Sequence, residues 1–218
     1  MNRTLWALLA ALALVAVVFA AWPGLDLAEA RFFYEGGGFA GAGWLPQAAR
    51  WVFRVAPFLV LAAYIIAYLL NRADVSVRFA PSGRAVLFLA ASIAIGSGLI
   101  VNLGMKDHLH RPRPTQTMQF GGPDEFRPWY RFDGGCKKNC GFPSGEASSA
   151  FWMVAPALLT PPPVRGAAVA AALAFGAGAS LLRMAFGGHY LSDVLFGGLI
   201  SLIVVFAVRR LVWPKGAP

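Results

Sequence analysis

"LLRMAFGGHYLSDVLFGGLI", residues 181–200, is apolar at both ends and ionisable in the middle. Gly187-Gly188 break it in two, so Arg183 ends one helix and His189 opens the next. His189 and Asp193 stand four apart and share a helix face. A carboxylate there can fix the imidazole tautomer and stabilise its cation, the orienting logic of nucleophile–base sites. The plainer reading is a core histidine with its N–H satisfied. Long apolar flanks around such a hinge are what two membrane spans require, and ionisable residues at span ends are functional suspects.

The whole chain agrees with that reading. Its 218 residues are 58% hydrophobic and 13% charged, where soluble domains average about 45–50% and about 25%. Six spans of predominantly apolar residues are expected at 4–22, 52–70, 85–105, 147–160, 165–185 and 190–212. The fourth is short and starts at Pro143-Ser144-Gly145. Ala28-Glu29-Ala30 resembles a signal-peptide cleavage site, but the preceding apolar run is longer than such leaders use and Pro23-Gly24 intervenes. An uncleaved first helix is therefore expected. The connector after it is amphipathic and aromatic, which suits an interfacial segment with Phe33 and Trp44 at headgroup level. Gly176, Ala177, Gly178 and Ser180 would let the fifth span pack closely. With no internal repeat or linker, residues 1–218 read as one all-α integral membrane domain, a six-helix transmembrane bundle.

A net charge of +9 on a soluble protein would point to nucleic acid. No basic run here is interleaved with aromatics on a soluble module, so no nucleic-acid partner is expected. Arginine and lysine beside spans explain much of the charge. With the N-terminus inside, Arg3, Arg72, Arg78, Arg84, Arg165, Arg209, Arg210 and Lys215 are cytoplasmic, opposed only by Asp74. Both termini are then cytoplasmic and the polar connector 106–146 lies outside. In it, Cys136 and Cys140 could close a small disulfide loop, or remain two free thiols.

Two further clusters join Arg183, His189 and Asp193. Lys106 and Arg113 are seven residues apart, two turns if the helix continues, and offer a point charge and a planar fork to an anion. Snorkelling to the interface is the alternative. Pro143-Ser144-Gly145 opens a helix whose free N–H groups favour an anion. Ser144 could be its N-cap or donate its hydroxyl, and Gly145 permits close approach. An ordinary helix start is the alternative. His108, His110, Glu146 and the cysteines are conceivable metal ligands, yet Lys106, Arg111 and Arg113 would repel a dication. Neither a metal nor a cofactor is expected.

Together "KDHLHRPRP" (106–114), "PSGE" (143–146) and "LRMAFGGHYLSD" (182–193) resemble the signature of the type 2 phosphatidic acid phosphatase superfamily. That signature is Lys, six residues, Arg-Pro; Pro-Ser-Gly-His; then Ser-Arg, five residues, His, three residues, Asp. All internal spacings are kept. Leu182 replaces the motif serine, and Glu146 the histidine to which the family assigns leaving-group protonation. "CKKNCGFPSGEASSAF" (136–151), with "LDL" (25–27) and "FFYEGGGF" (32–39), is similar to a bacterial branch that includes lipid A 4′-phosphatases.

The resemblance implies an inner-membrane enzyme, its site facing the periplasm, that removes phosphate from a membrane lipid. Lipid A or a precursor is the leading substrate; undecaprenyl diphosphate, phosphatidylglycerophosphate and phosphatidic acid are alternatives, as is transfer to a second lipid. It implies that His189 attacks phosphorus to give a phosphohistidine and Asp193 orients it. Lys106, Arg113, Ser144, Gly145 and Arg183 would hold the phosphoryl oxygens. A non-catalytic lipid-phosphate binder or transporter is the reading from another class, supported by the missing motif histidine and opposed by the retained nucleophile. Amid Lys106, Arg113 and Arg183, Glu146 is expected to be ionised, a poor acid suited to holding an arginine fork or a substrate hydroxyl or amine. The acid role would then pass to His108 or His110, or be unnecessary; a neutral Glu146 acting as acid is the other reading.

Overall fold

An uncharged run after Arg3 forms the first helix, α1 (Arg3–Ala21), and Pro23 follows its end. The structure, a computed structural model, describes residues 3–77 and 80–214; Arg78 and Lys215 lie outside them. The interfacial segment consists of a short helix, α2 (Gly24–Phe32), and a tiny hairpin, β1 (Tyr34–Glu35) with β2 (Gly38–Phe39). The long helix α3 (Trp44–Arg72) follows. Next comes α4 (Gly83–Ile93), whose N-cap Ser82 accepts from the Ala85 N–H, and it continues as a π-helical stretch, Ala94–Met105. The connector up to Ser144 holds two single 3₁₀ turns and an isolated Thr117–Asp124 bridge and is otherwise irregular. Beyond it lie α5 (Gly145–Phe151), α6 (Val154–Ala157), α7 (Pro162–Ala185) and α8 (Leu191–Val212).

Five helical segments among the described residues are long and apolar enough to cross a membrane: α1, α3, α4 with its π extension, α7 and α8. The expected fourth span is instead two short helices, α5 and α6, bent at Trp152 and Met153. From Gly145 to Leu158 an unbroken helix would reach only about 21 Å, short of the roughly 30 Å hydrocarbon core. The segment is almost wholly buried between α7 and α8, so it never has to face lipid by itself. Phe151 is its anchor: a side-chain carbon on Gly176 of α7 or Gly198 of α8 would collide with its ring. Trp152 is fully buried and donates its indole N–H to Ser92 Oγ at 2.8 Å. The close approach expected of the fifth span is thus realised at Gly176, while Gly178 faces Phe53 of α3.

The helices alternate in direction. The ends of α1, the π stretch and α7 therefore meet the starts of α3, α5 and α8. Arg3, Arg72, Arg84, Arg165, Arg209 and Arg210 belong to the opposite end, where Asp74 is the single acid among the described residues. Helix α8 is the inner member, 61% buried over its apolar window, against 6% for α1 and α3.

Three carboxylates cap α8. Its first N–H groups have no partners within the helix. Asp193 Oδ2 accepts from Tyr190 N at 2.8 Å, Glu29 Oε2 from Leu191 N at 3.1 Å and Asp26 Oδ1 from Ser192 N at 2.9 Å. Two of the three come from α2, which docks the interfacial segment on the helix end. Arg111, fully buried, balances the charge: its guanidinium reaches Asp26 Oδ2 at 2.7 Å, Ser192 Oγ at 2.7 Å, Arg127 O at 2.8 Å and Asp193 Oδ1. The rings of Phe126, Phe142 and Tyr190 surround it.

Removing one member of a buried ion pair costs about 3–5 kcal/mol. Arg111→Met strands two carboxylates and Asp26→Ala none, so thermal midpoints in detergent should fall in the order wild type, Asp26→Ala, Arg111→Met. An Arg111→Met protein as stable as wild type would contradict this role. Glu29 should show its own pH signature. Burial first, then the Asp26 charge, raises its pKa to about 8 from 4.5. Between those values the folded state holds a proton that the unfolded chain has lost, so stability falls as pH rises. Wild-type midpoints should drop between pH 5 and pH 8 more than those of Glu29→Gln; parallel curves would exclude the effect.

Candidate functional site

The converging helix ends enclose a cavity of about 500 Å³. Arg50, Arg54 and Phe58 of α3 form one wall. The π stretch supplies Ala94, Ser97, Gly98 and Asn102, ending at Lys106. Arg113 and Asn139 come from the connector, Gly145 and Glu146 from α5, and His189 from the hinge before α8. Turns of the π stretch close over five residues where an α-helix closes over four. Lys106 N–H bonds Val101 O, five residues back, at 3.1 Å.

The first cluster converges by a different route from the expected helix. Lys106 caps the π stretch, and Arg113 sits in extended chain beyond it. Arg113 is held from outside: Nε and Nη2 donate to Asn139 O at 3.1 and 2.8 Å, and Nη2 to Asn139 Oδ1 at 3.0 Å. Asn139 lies inside the loop closed by a Cys136–Cys140 disulfide, and its N–H donates to Asp107 Oδ1 at 2.6 Å. The Lys106 ammonium makes no hydrogen bond or ion pair among the described residues. Burial, then the Arg113 and Arg183 charges, lowers its pKa to about 8.

Glu146 is gripped by Arg50, which donates Nε to Oε2 at 3.0 Å and Nη2 to Oε1 at 2.6 Å. Arg183 Nε stands 3.6 Å from Oε2, an ion pair too long for a hydrogen bond, and that buried N–H has no acceptor among the described residues. Burial pulls the Glu146 pKa up, but the Arg50 hydrogen bonds and the Arg183 charge outweigh it and hold the group below the usual carboxylate value. The expected arginine fork is present, and its main owner, Arg50, is a residue that hydropathy had left out of the site. Arg50 and Arg54, one turn apart where a membrane helix begins, were the available signal.

His189 is 1% exposed. Its Nδ1 bonds the Gly141 carbonyl at 2.6 Å. A carbonyl only accepts, so Nδ1 carries the proton and Nε2 keeps its lone pair. Burial, then the Arg183, Arg113 and Lys106 charges, depresses its pKa well below 6.5, and the ring is neutral at pH 7. Asp193 Oδ2 lies 3.6 Å from Nδ1. The expected i,i+4 pairing is therefore a charge contact, and the direct orienting bond belongs to Gly141, because Asp193 is engaged by Arg111 and the Tyr190 N–H.

Ser144 takes the capping alternative: its Oγ accepts from Ala147 N at 3.3 Å, and it is fully buried behind the cavity. Arg183 likewise sits behind the lining, one layer deep. His108 is exposed, His110 bonds Cys136 O, and neither lines the cavity. The bowl thus combines an excess of cations, backbone at a helix start and a neutral imidazole with a free lone pair. Arginine forks and a lysine point charge suit tetrahedral oxyanions.

Residues 85–217 match the PAP2 superfamily. The chain is 36% identical over 208 residues to the lipid A 4′-phosphatase of Francisella tularensis subsp. novicida, covering 91% of each chain. It is 35% identical to the lipid A 4′-phosphatases of Rhizobium leguminosarum and Rhizobium etli, over 94% and 95% of this chain and 92% and 84% of those proteins. No solved structure matches it.

The Arg50–Glu146 pair yields a test that needs no assumption about turnover. Arg50→Ala leaves a bare carboxylate in the bowl and should weaken inorganic phosphate binding about tenfold, roughly 1.4 kcal/mol. Adding Glu146→Ala should recover most of it, as coupled neighbours do. Additive losses in the double variant would refute the coupling.

Proposed function

The chain belongs to the PAP2 superfamily, and from that premise we propose that it is a multi-pass membrane phosphatase that removes the 4′-phosphate of lipid A. The observation that carries this reading is His189: neutral, its Nδ1 proton held by Gly141, its Nε2 lone pair free, beside Lys106 and Arg113. Nε2 attacks phosphorus and forms a phosphohistidine. The positive charge that develops on the ring is stabilised by Asp193, 3.6 Å from Nδ1. Lys106, Arg113 and the Gly145 N–H hold the equatorial oxygens, with Arg183 adding charge from behind. Positioning and electrostatics of this kind account for most of phosphoryl-transfer catalysis. Water then hydrolyses the phosphohistidine.

The site faces the periplasm of a bacterial inner membrane, with both termini cytoplasmic. The arginine-rich opposite end supports that orientation, and the Cys136–Cys140 disulfide fits the oxidising side. Helices α5 and α6 complete the sixth transmembrane segment from within the bundle. Phe58 and Ile93 add apolar surface to the cavity wall, as a lipid substrate requires.

Purified protein in detergent should release phosphate from lipid A in preference to undecaprenyl diphosphate, phosphatidylglycerophosphate and phosphatidic acid, and EDTA should leave the rate intact. His189→Ala should have no activity. Glu146→Gln should keep a measurable fraction, since its carboxylate is spoken for by Arg50. The acid limb of kcat/KM should fall below pH 6.5, following the depressed His189 pKa. Full activity in His189→Ala would sink the mechanism, and binding without turnover would favour a lipid-phosphate binder.

A further inference from the structure

A sugar or alkyl alkoxide is a poor leaving group, and the P–O bond breaks readily only if a proton arrives as it goes. Glu146 is a carboxylate inside a two-pronged arginine pair and has no proton to give. The guanidinium groups of Arg50, Arg54 and Arg113 do not deprotonate in proteins. Ser149 donates its hydroxyl to Glu146 O at 3.2 Å, and His108 and His110 lie off the cavity. Lys106 lines the cavity, and no hydrogen bond or ion pair among the described residues commits its ammonium.

We propose that Lys106 is the proton donor to the leaving oxygen, and later the base for water. This rests on the phosphatase reading above. As His189 Nε2 bonds phosphorus, the ester P–O bond breaks. Its electron pair stays on the lipid oxygen, which takes a proton from Lys106 Nζ. The neutral amine then accepts a proton from water as the water oxygen attacks the phosphohistidine. The N–P pair returns to Nε2, and the ammonium is restored. The surroundings of Lys106 favour such exchange: burial, then the Arg113 and Arg183 charges, press it to release a proton, while Glu146 and Asp193 oppose them; Arg50 and Arg54 line the same cavity, and His189 is neutral. Its pKa of about 8 leaves it mostly protonated at pH 7 yet close to the operating pH, where acid–base exchange is most efficient.

Leaving-group dependence separates proton donation from simple phosphate holding. Two probes serve: lipid A, and a nitrophenyl phosphate bearing one long alkyl chain, whose phenolate needs no proton. In the wild type, kcat/KM for lipid A should fall as pH rises through about 8 by a clearly larger factor than for the nitrophenyl probe, which loses only the charge that holds its phosphoryl oxygens. Lys106→Arg keeps the charge but not the exchangeable proton. It should lose about 100-fold or more on lipid A and at least ten times less on the nitrophenyl probe. An equal limb with both probes, or equal losses in Lys106→Arg, would overturn the proposal and leave Lys106 a phosphate ligand. The wild-type pH comparison holds even if the variant misfolds. A wild type inactive on both probes would instead refute the phosphatase reading itself.

Discussion

A single buried guanidinium holds the site together. The Arg111 side chain lies between Asp26 and Asp193, and its main-chain carbonyl accepts the Gly141 N–H at 2.8 Å. Gly141 in turn orients His189 through its own carbonyl. One residue therefore fixes both the dipole that sets the imidazole tautomer and the carboxylate that faces the ring. Buried charge of this kind is tolerated only when every partner is in place. The connector, the interfacial helix and α8 are consequently locked to one another, and His189 inherits their rigidity. Such support is what catalytic geometry demands, since small displacements cost large factors in rate.

Against that frame, Glu146 acquires a physical meaning. A bowl with only cations would repel its own walls and bind any anion indiscriminately. The Arg50–Glu146 pair neutralises one charge on each side while leaving Lys106 and Arg113 unopposed at the cavity surface. Arg183, held by a longer contact and with an unmet N–H, supplies field from one layer back. The carboxylate where a histidine would be expected is thus committed to an arginine in a cavity otherwise lined by cations.

Much of this was readable from residue order. The apolar runs located five long helices, and the three charged clusters did meet at one end of them. What stayed hidden had definite causes. Hydropathy placed the second span at 52, so Arg50 fell outside a helix that in fact starts at Trp44. Residues 147–160 had the composition of a span but not the length, and burial on all sides removed the need for it. The pairing of Asp26 with Arg111 was invisible because partners 85 residues apart leave no local pattern. The Gly141 carbonyl carries no side-chain signature at all, yet it took the orienting role that spacing had assigned to Asp193.

The caps of α8 also dictate an order of assembly. Asp26 binds Ser192 across 166 residues, and Glu29 binds Leu191 across 162. As the chain emerges from the ribosome, α2 with its acceptor carboxylates is made early and the N–H donors of α8 last. Until α8 has entered the bilayer, both carboxylates must wait in water, since neither is tolerable in lipid without a partner. The interfacial helix finds its full set of partners only against α8, the helix whose lead-in also carries His189 to the cavity.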